Sequence, residues 1–204
     1  MISLTPTPLI AILRGIKPNE AEAIACVIAG AGFGAIEVPL NSPEPMNSIE
    51  IIARALGEST LVGAGTVLWA DDVDRVADAG AKFVVAPNAD GAVIARAFNL
   101  RLASLPGVAT PTEAFRALWL GASALKLFPA EAMPPEVVKA WRSVLPKETQ
   151  LFPVGGITPE RVAPYHRAGA DGFGIGGALY RPGMTPAEAE RAAKAFVDAW
   201  RESG

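Results

Sequence analysis

Four segments of the chain repeat one pattern, a small or apolar residue, a glycine, then a small or aromatic residue that leads into an apolar run. They are Ala31-Gly32-Phe33, Ala79-Gly80-Ala81, Leu120-Gly121-Ala122 and Ala168-Gly169-Ala170, and their glycines lie 48, 41 and 48 positions apart. Each glycine closes a helical pattern, where only glycine takes the left-handed conformation cheaply. Each then opens a strand-like run, at 35–40, 83–88, 124–128 and 172–177. Further strand-like runs at 9–15, 61–67, 101–105 and 151–156 alternate with these, so eight strands are predicted, each followed by a helix. Helix starts read as Lys17-Pro18-Asn19-Glu20 and as the capping boxes Thr110-x-x-Glu113 and Thr185-x-x-Glu188. The last helix places Ala189, Ala192, Ala193, Phe196, Val197 and Trp200 on one face. Strict strand–helix alternation implies an α/β fold with a parallel sheet covered on both faces. Eight units with an internal repeat favour closure into a single (β/α)8 TIM barrel spanning residues 1–204. A doubly wound open sheet, the other option, calls for a glycine fingerprint after the first strand, and Arg14-Gly15-Ile16-Lys17 is not one.

Composition narrows the function classes. The net charge of −3, with acids and bases interspersed, gives no nucleic-acid footprint and no electrostatic membrane surface. No apolar run approaches the roughly 18 residues of a membrane span. The start, Met1-Ile2-Ser3-Leu4-Thr5-Pro6, lacks the basic and apolar segments of a signal peptide, so a cytoplasmic protein is expected. Cys26 is the single cysteine and His166 the single histidine, the latter read as a solvated residue of a surface helix. Mechanisms built on histidine bases, zinc or cysteine metal clusters are therefore poorly supplied. Trp69, Trp119, Trp141 and Trp200 are read as packing residues at helix faces or subunit contacts.

The chemistry concentrates at Lys126, in the apolar run Ala124-Leu125-Lys126-Leu127-Phe128-Pro129. A buried lysine either finds a partner or loses its charge, and the neutral amine is a nucleophile for carbonyl carbon. The other readings of Lys126 are an interior ion pair and a strand end from which the amine reaches water. In a barrel, active groups project at the C-terminal ends of the strands. Those positions here are Arg14, Glu37, Thr66, Asn88, Lys126, Gly155-Gly156 and Gly176-Gly177. Alternation puts Ala35 with Glu37 and Ala124 with Lys126 on single faces, so Glu37 and Lys126 are expected to meet inside. Glu37 then serves as a general base, as a charge partner for Lys126, or as both. Arg14 can take a carboxylate bidentately or cap a loop. Gly63-Ala64-Gly65-Thr66 lets backbone amides approach a ligand, or is simply a tight strand end. Glycine pairs after strands seven and eight, beside the helix start Thr158-Pro159, fit the phosphate site that recurs in such barrels.

Taken together, Ile36-Glu37-Val38-Pro39-Leu40-Asn41-Ser42, Val62-Gly63-Ala64-Gly65-Thr66-Val67, Pro87-Asn88 and Leu125-Lys126-Leu127-Phe128-Pro129-Ala130 resemble the KDPG/KHG aldolase family. That family comprises the 2-dehydro-3-deoxy-phosphogluconate, phosphogalactonate and 4-hydroxy-2-oxoglutarate aldolases. Pro153-Val154-Gly155-Gly156-Ile157 and Gly176-Gly177 extend the resemblance over essentially the whole chain. The wording Glu-Val-Pro-Leu-Asn-Ser-Pro, after an arginine at position 14, is similar to the 6-phosphogalactonate branch. The gluconate branch has an arginine near Asn41 and a threonine where this chain has Val154. Gly177 stands where relatives often have serine, which removes a hydroxyl and keeps the backbone N–H.

The resemblance implies a Schiff-base aldolase without metal or cofactor, acting as a homotrimer on a phosphorylated 2-keto-3-deoxy sugar acid. It casts Lys126 as the nucleophile, Glu37 as the proton shuttle, and Arg14 and Thr66 as holders of the carboxylate end. The amides of Gly155, Gly156, Gly176 and Gly177 would hold the phosphate, with Val154 beside the C4 hydroxyl. Products would be pyruvate and D-glyceraldehyde 3-phosphate. Two readings of other kinds stand beside it. One is a sugar-phosphate isomerase or epimerase that uses Glu37 without a covalent lysine; the other is a non-catalytic phosphate-binding barrel.

Overall fold

The structure is a computed structural model that describes residue 4 and residues 6–204. The signal-peptide reading rests in part on residues 1–3 and 5, which lie outside the described residues. The chain runs β1 (Leu9–Ile12), α1 (Pro18–Ala31), β2 (Ala35–Pro39), α2 (Pro45–Leu56), β3 (Leu61–Gly65), α3 (Ala70–Asp78), β4 (Phe83–Val85) and α4 (Gly91–Asn99). It continues with β5 (Ala103–Leu105), β6 (Gly107–Val108), α5 (Pro111–Trp119), β7 (Leu125–Leu127), a 3-10 turn (Ala130–Ala132) and α6 (Pro135–Arg142). It ends with β8 (Leu151–Pro153), α7 (Pro159–Arg167), β9 (Phe173–Ile175) and α8 (Pro186–Arg201).

Every strand pairing is parallel, in two ladders ordered β5-β4-β3-β2-β1-β9 and β6-β7-β8. One ring of eight strands was the expectation; two arcs are what the hydrogen bonds define. Pro106, which has no N–H to donate, divides the fifth strand into β5 and β6. Its carbonyl still accepts from Lys126 N at 3.0 Å. At the other junction a lone parallel bridge, Val154 with Gly174, joins the end of β8 to β9. There the Asp171 carboxylate takes the Leu151 N–H at 2.7 Å, a bond that a neighbouring strand would otherwise supply.

The repeated glycines do what the pattern requires. Gly32, Gly80, Gly121 and Gly169 all have positive φ, between 95° and 116°. The residue after each donates its N–H five positions back, Phe33 to Ile28, Ala81 to Val76, Ala122 to Ala117 and Ala170 to Tyr165. That is the Schellman termination, and it turns each helix into the next strand. A fifth copy was not legible, because Arg101 (φ 59°) occupies the glycine position and Leu102 N bonds to Ala97 O. A side chain in this conformation costs roughly 1–2 kcal/mol. Arg101→Gly is therefore expected to stabilise the protein by about 0.5–1 kcal/mol after the extra unfolded-state entropy of glycine is offset. Denaturant midpoints of the two proteins check this.

The capping boxes form as read. Thr110 Oγ1 accepts from Glu113 N and Thr185 Oγ1 from Glu188 N, while each glutamate takes its cap residue's N–H. On α8, Ala189, Ala193, Phe196 and Val197 are buried, and Ala192 and Trp200 pack partly buried against them. His166 is not simply solvated. Its ring lies 4.2 Å from that of Trp200 and its Nδ1 is 2.8 Å from Ser203 Oγ, so it ties α7 to the end of α8. Trp141 is buried, whereas Trp119 is 93% exposed. Among the described residues no helix is long and apolar enough to cross a membrane.

Strand alternation sorts the core into two parts. Leu9, Ala11, Ile36, Val38, Val84, Leu125, Leu127 and Leu151 face the helices. The intervening Ile10, Ala35, Phe83, Val85, Leu105, Ala124 and Phe152 form a separate inner cluster. Large rings fill that interior because glycines make room opposite them. A Cβ at Gly63 would fall 2.6 Å from the Phe83 ring, and one at Gly172 would fall 2.6 Å from Phe152 Cε1.

Candidate active site

The expected strand ends overran the ladders, and this builds the site. The first apolar run reaches residue 15, yet β1 stops at Ile12, and the chain turns where Gly15 has φ 82°. The eighth run reaches residue 177, yet β9 stops at Ile175. The chain just past these two ladders carries Arg14 and the Gly176-Gly177 pair, whereas Glu37 and Lys126 lie within β2 and β7.

Glu37 and Lys126 continue the inner faces begun by Ala35 and Ala124. Both are buried, 2% and 6% exposed, and they line one small crevice with Ile12, Val85, Leu105, Phe152 and Val154. The carboxylate fits there because position 65 is glycine; a Cβ on Gly65 would lie 1.9 Å from Glu37 Oε2. The pair does not close into an ion pair. The four ion pairs found among the described residues are all elsewhere, and Glu37 Oε2 has no hydrogen-bond partner although it is shut off from solvent. A buried, unpartnered carboxylate oxygen is costly and is found where function requires it.

The electrostatics follow from burial. Desolvation pushes the Glu37 carboxyl from 4.5 up to about 7, against the opposing pull of the Lys126 and Arg14 charges. Desolvation also lowers the Lys126 pKa, opposed by the Glu37 charge and helped by that of Arg14. The amine lies 4.7 Å from the centroid of the Phe128 ring, a favourable contact for its charged form. A carboxyl poised near neutrality beside an amine easier to deprotonate than usual is an arrangement for proton transfer and nucleophilic attack.

Above the crevice opens a cleft of about 390 Å³ that gathers Arg14, Val154, Gly155, Gly156, Gly176 and Gly177. Val154 lines both spaces and is held on either side, its N–H donating to Leu127 O and its carbonyl accepting from Ala130 N. Gly155 and Gly156 both have positive φ, and Arg161 Nη1 secures the loop by donating to Gly156 O at 2.7 Å. Arg14 is exposed, and its Nη1 donates to Asn41 Oδ1 at 2.7 Å, while Gly15 N donates to Ser42 Oγ. The turn after β1 is thus pinned to the turn after β2. Thr66 lines neither space but directly follows Gly65 and has φ 57°, an outlier for a β-branched residue and a conformation favoured by few. Asn88 does not join the site; it borders a separate small cavity with Asp90 and Ser104.

The comparisons with known proteins agree with this geometry. The family profile described as KDPG and KHG aldolase matches residues 2–190. The chain belongs to the KDPG and KHG aldolase family. It is 48% identical over 199 residues to the 2-dehydro-3-deoxy-6-phosphogalactonate aldolase of Escherichia coli K12, covering 98% of this chain and 97% of the relative. It is 45% identical to the probable 2-dehydro-3-deoxy-6-phosphogalactonate aldolase of Rhizobium meliloti, covering 95% and 91%. The solved native KDPGal structure superposes with a TM-score of 0.97 at 47% identity, covering 100% of this chain and 98% of that one.

Several contacts of this candidate site were not read from the sequence. Asn41 holds Arg14, Gly65 makes room for Glu37, and Phe128 lies under the Lys126 amine. All three lie inside segments that carry the family resemblance, so the signal was present without the contact. Arg181, which also lines the cleft, lies in the loop after β9 and carried no signal at all.

Proposed function

We propose that the protein is a Schiff-base aldolase cleaving 2-dehydro-3-deoxy-6-phospho-D-galactonate to pyruvate and D-glyceraldehyde 3-phosphate. The observation that carries the reading is the buried Lys126 beside a buried, unpaired Glu37 in one crevice beneath a glycine-lined cleft. A structural ion pair would have closed; this one stays apart. The two ladders are read as arcs of one closed (β/α)8 barrel forming a single domain. The Val154–Gly174 bridge and the bond from Lys126 N to Pro106 O support that closure.

In the mechanism, the neutral amine of Lys126 attacks the C2 ketone of the substrate, and the carbinolamine loses water to give an iminium. The iminium is an electron sink, so no metal is needed. Glu37, as carboxylate, takes the C4 hydroxyl proton directly or through a water. The C3–C4 electron pair moves into the enamine, and the C4 carbonyl of glyceraldehyde 3-phosphate forms. Glu37 then returns its proton to C3, and water releases pyruvate and the free amine. Arg14 and Thr66 would hold the carboxylate end, and the amides of Gly155, Gly156, Gly176 and Gly177 the phosphate. A homotrimer is part of the same reading. The apolar surface of Phe115, Trp119 and Leu120, exposed in the isolated chain, is compatible with a subunit contact.

The choice of epimer rests on Val154, whose side chain offers no hydrogen bond to a C4 hydroxyl. Leaving that hydroxyl unpaired costs about 1–3 kcal/mol, a roughly 10- to 100-fold discrimination. Side-by-side assays of the two C4 epimers should show the galactonate cleaved at least as fast as the gluconate, and Val154→Thr should raise the rate on the gluconate. A wild type much faster on the gluconate would remove the branch assignment and leave the aldolase assignment standing.

A further inference from the structure

We propose that Arg181 is a substrate-contacting residue that grips the phosphate dianion beside Gly176 and Gly177 and sets the preference for phosphorylated over unphosphorylated sugar acids. The aldolase reading supplies the identity of the ligand; the assignment of the residue comes from the cleft.

The cleft is lined by two cations, Arg14 and Arg181, and by no carboxylate. A substrate with a carboxylate at one end and a phosphate at the other has two anionic groups to match them. Arg14 is engaged by Asn41 Oδ1. The guanidinium of Arg181 has no hydrogen-bond or ion-pair partner among the described residues; only its backbone is engaged, its N–H donating to Met184 Sδ and its carbonyl accepting from Met184 N. An unengaged guanidinium gives up no protein partner on meeting a ligand, is more weakly hydrated than an ammonium, and presents a planar fork that matches two phosphate oxygens.

The segment that carries Arg181 is anchored on both sides. Before it, the N–H groups of Leu179 and Tyr180 donate to Gly176 O at 2.7 and 3.0 Å. Tyr180 is 2% exposed, and its hydroxyl donates to Glu20 Oε1 on α1 at 3.1 Å. After it, Pro182 packs on the turn that bears Arg14; its Cγ lies 2.8 Å from where a Gly15 Cβ would be. Arg181 is thereby presented from a braced turn next to glycines that contribute no side chain. A Cβ on Gly177 would meet nothing within 4 Å, so the space in front of that backbone is open to an anion. The glycine amides give direction, and Arg181 gives the charge they lack.

The test uses the full chain with Arg181→Gln and Arg181→Lys. Activity is measured on 2-dehydro-3-deoxy-6-phosphogalactonate and on the unphosphorylated sugar acid. In Arg181→Gln, kcat/KM for the phosphorylated substrate should fall about 10- to 100-fold, chiefly through KM. The unphosphorylated substrate should change less than about twofold, and Arg181→Lys should recover part of the loss. Equal losses on both substrates would mean a structural role or a carboxylate contact, and an unchanged KM would mean no contact; either overturns the proposal. Calorimetric titration with glycerol 3-phosphate tests the residue without turnover. Binding should weaken about tenfold or more in Arg181→Gln, and equal affinities would again refute the assignment. A wild type that does not cleave the aldol yet binds glycerol 3-phosphate through Arg181 would sink the aldolase reading alone.

Discussion

Replacing Lys126 with methionine is expected to lower turnover by roughly 10⁴-fold or more, the scale seen when a covalent nucleophile is removed. The same change should leave the protein at least as stable as the wild type at neutral pH. Burial lowers the Lys126 pKa, so the folded state carries a cost for the charged amine. That cost is fully present below the folded pKa and disappears as pH rises through the ordinary lysine value of 10.5. Methionine fills similar volume without a charge and removes the cost. A folded, inactive variant with an equal or higher Tm is the expected outcome. A variant that unfolds at neutral pH would show Lys126 to be a structural residue, and one that keeps its activity would leave the mechanism without its nucleophile.

Glu37→Gln is expected to lower the cleavage rate, and the exchange of pyruvate methyl protons with solvent, by about 10²- to 10⁴-fold, the range for loss of a general base. Because the Glu37 carboxyl is raised to about 7, wild-type exchange should climb as pH passes through that value and the carboxylate forms. The stability sign is the reverse. Between pH 4.5 and about 7 the folded protein holds a proton on Glu37 that the unfolded chain releases, so the wild type loses stability as pH rises across that window. The glutamine variant lacks this slope. Its advantage should be absent below about pH 4.5 and reach on the order of 3 kcal/mol above pH 7, at about 1.4 kcal/mol per pKa unit. Denaturant melts at both pH values check the window. Exchange that is unchanged in the folded variant would reduce Glu37 to a charge partner.

What could be read from the sequence was what is local. The four glycine terminations, the Thr110 and Thr185 caps and the buried face of α8 depend on neighbours within one or two turns, and the residue types declare them. The meeting of Glu37 and Lys126 was legible at one remove, since alternation assigns each to the inner face once parallel strands curl round an interior. Three features lay beyond reach. The termination at Arg101 is imposed by the surrounding packing on a residue that does not favour it. The two-residue strand β6 is too short to carry a period, and Pro106 hides it. The missing ion pair at Glu37 depends on distances of a few ångströms, which no sequence pattern encodes.

The most direct test of the account is reduction with borohydride in the presence of pyruvate, followed by peptide mass mapping. A three-carbon adduct on Lys126, absent from the Lys126→Met protein, is the result predicted. An adduct on Lys139 or Lys147 instead, or full labelling of the Lys126→Met protein, would contradict it.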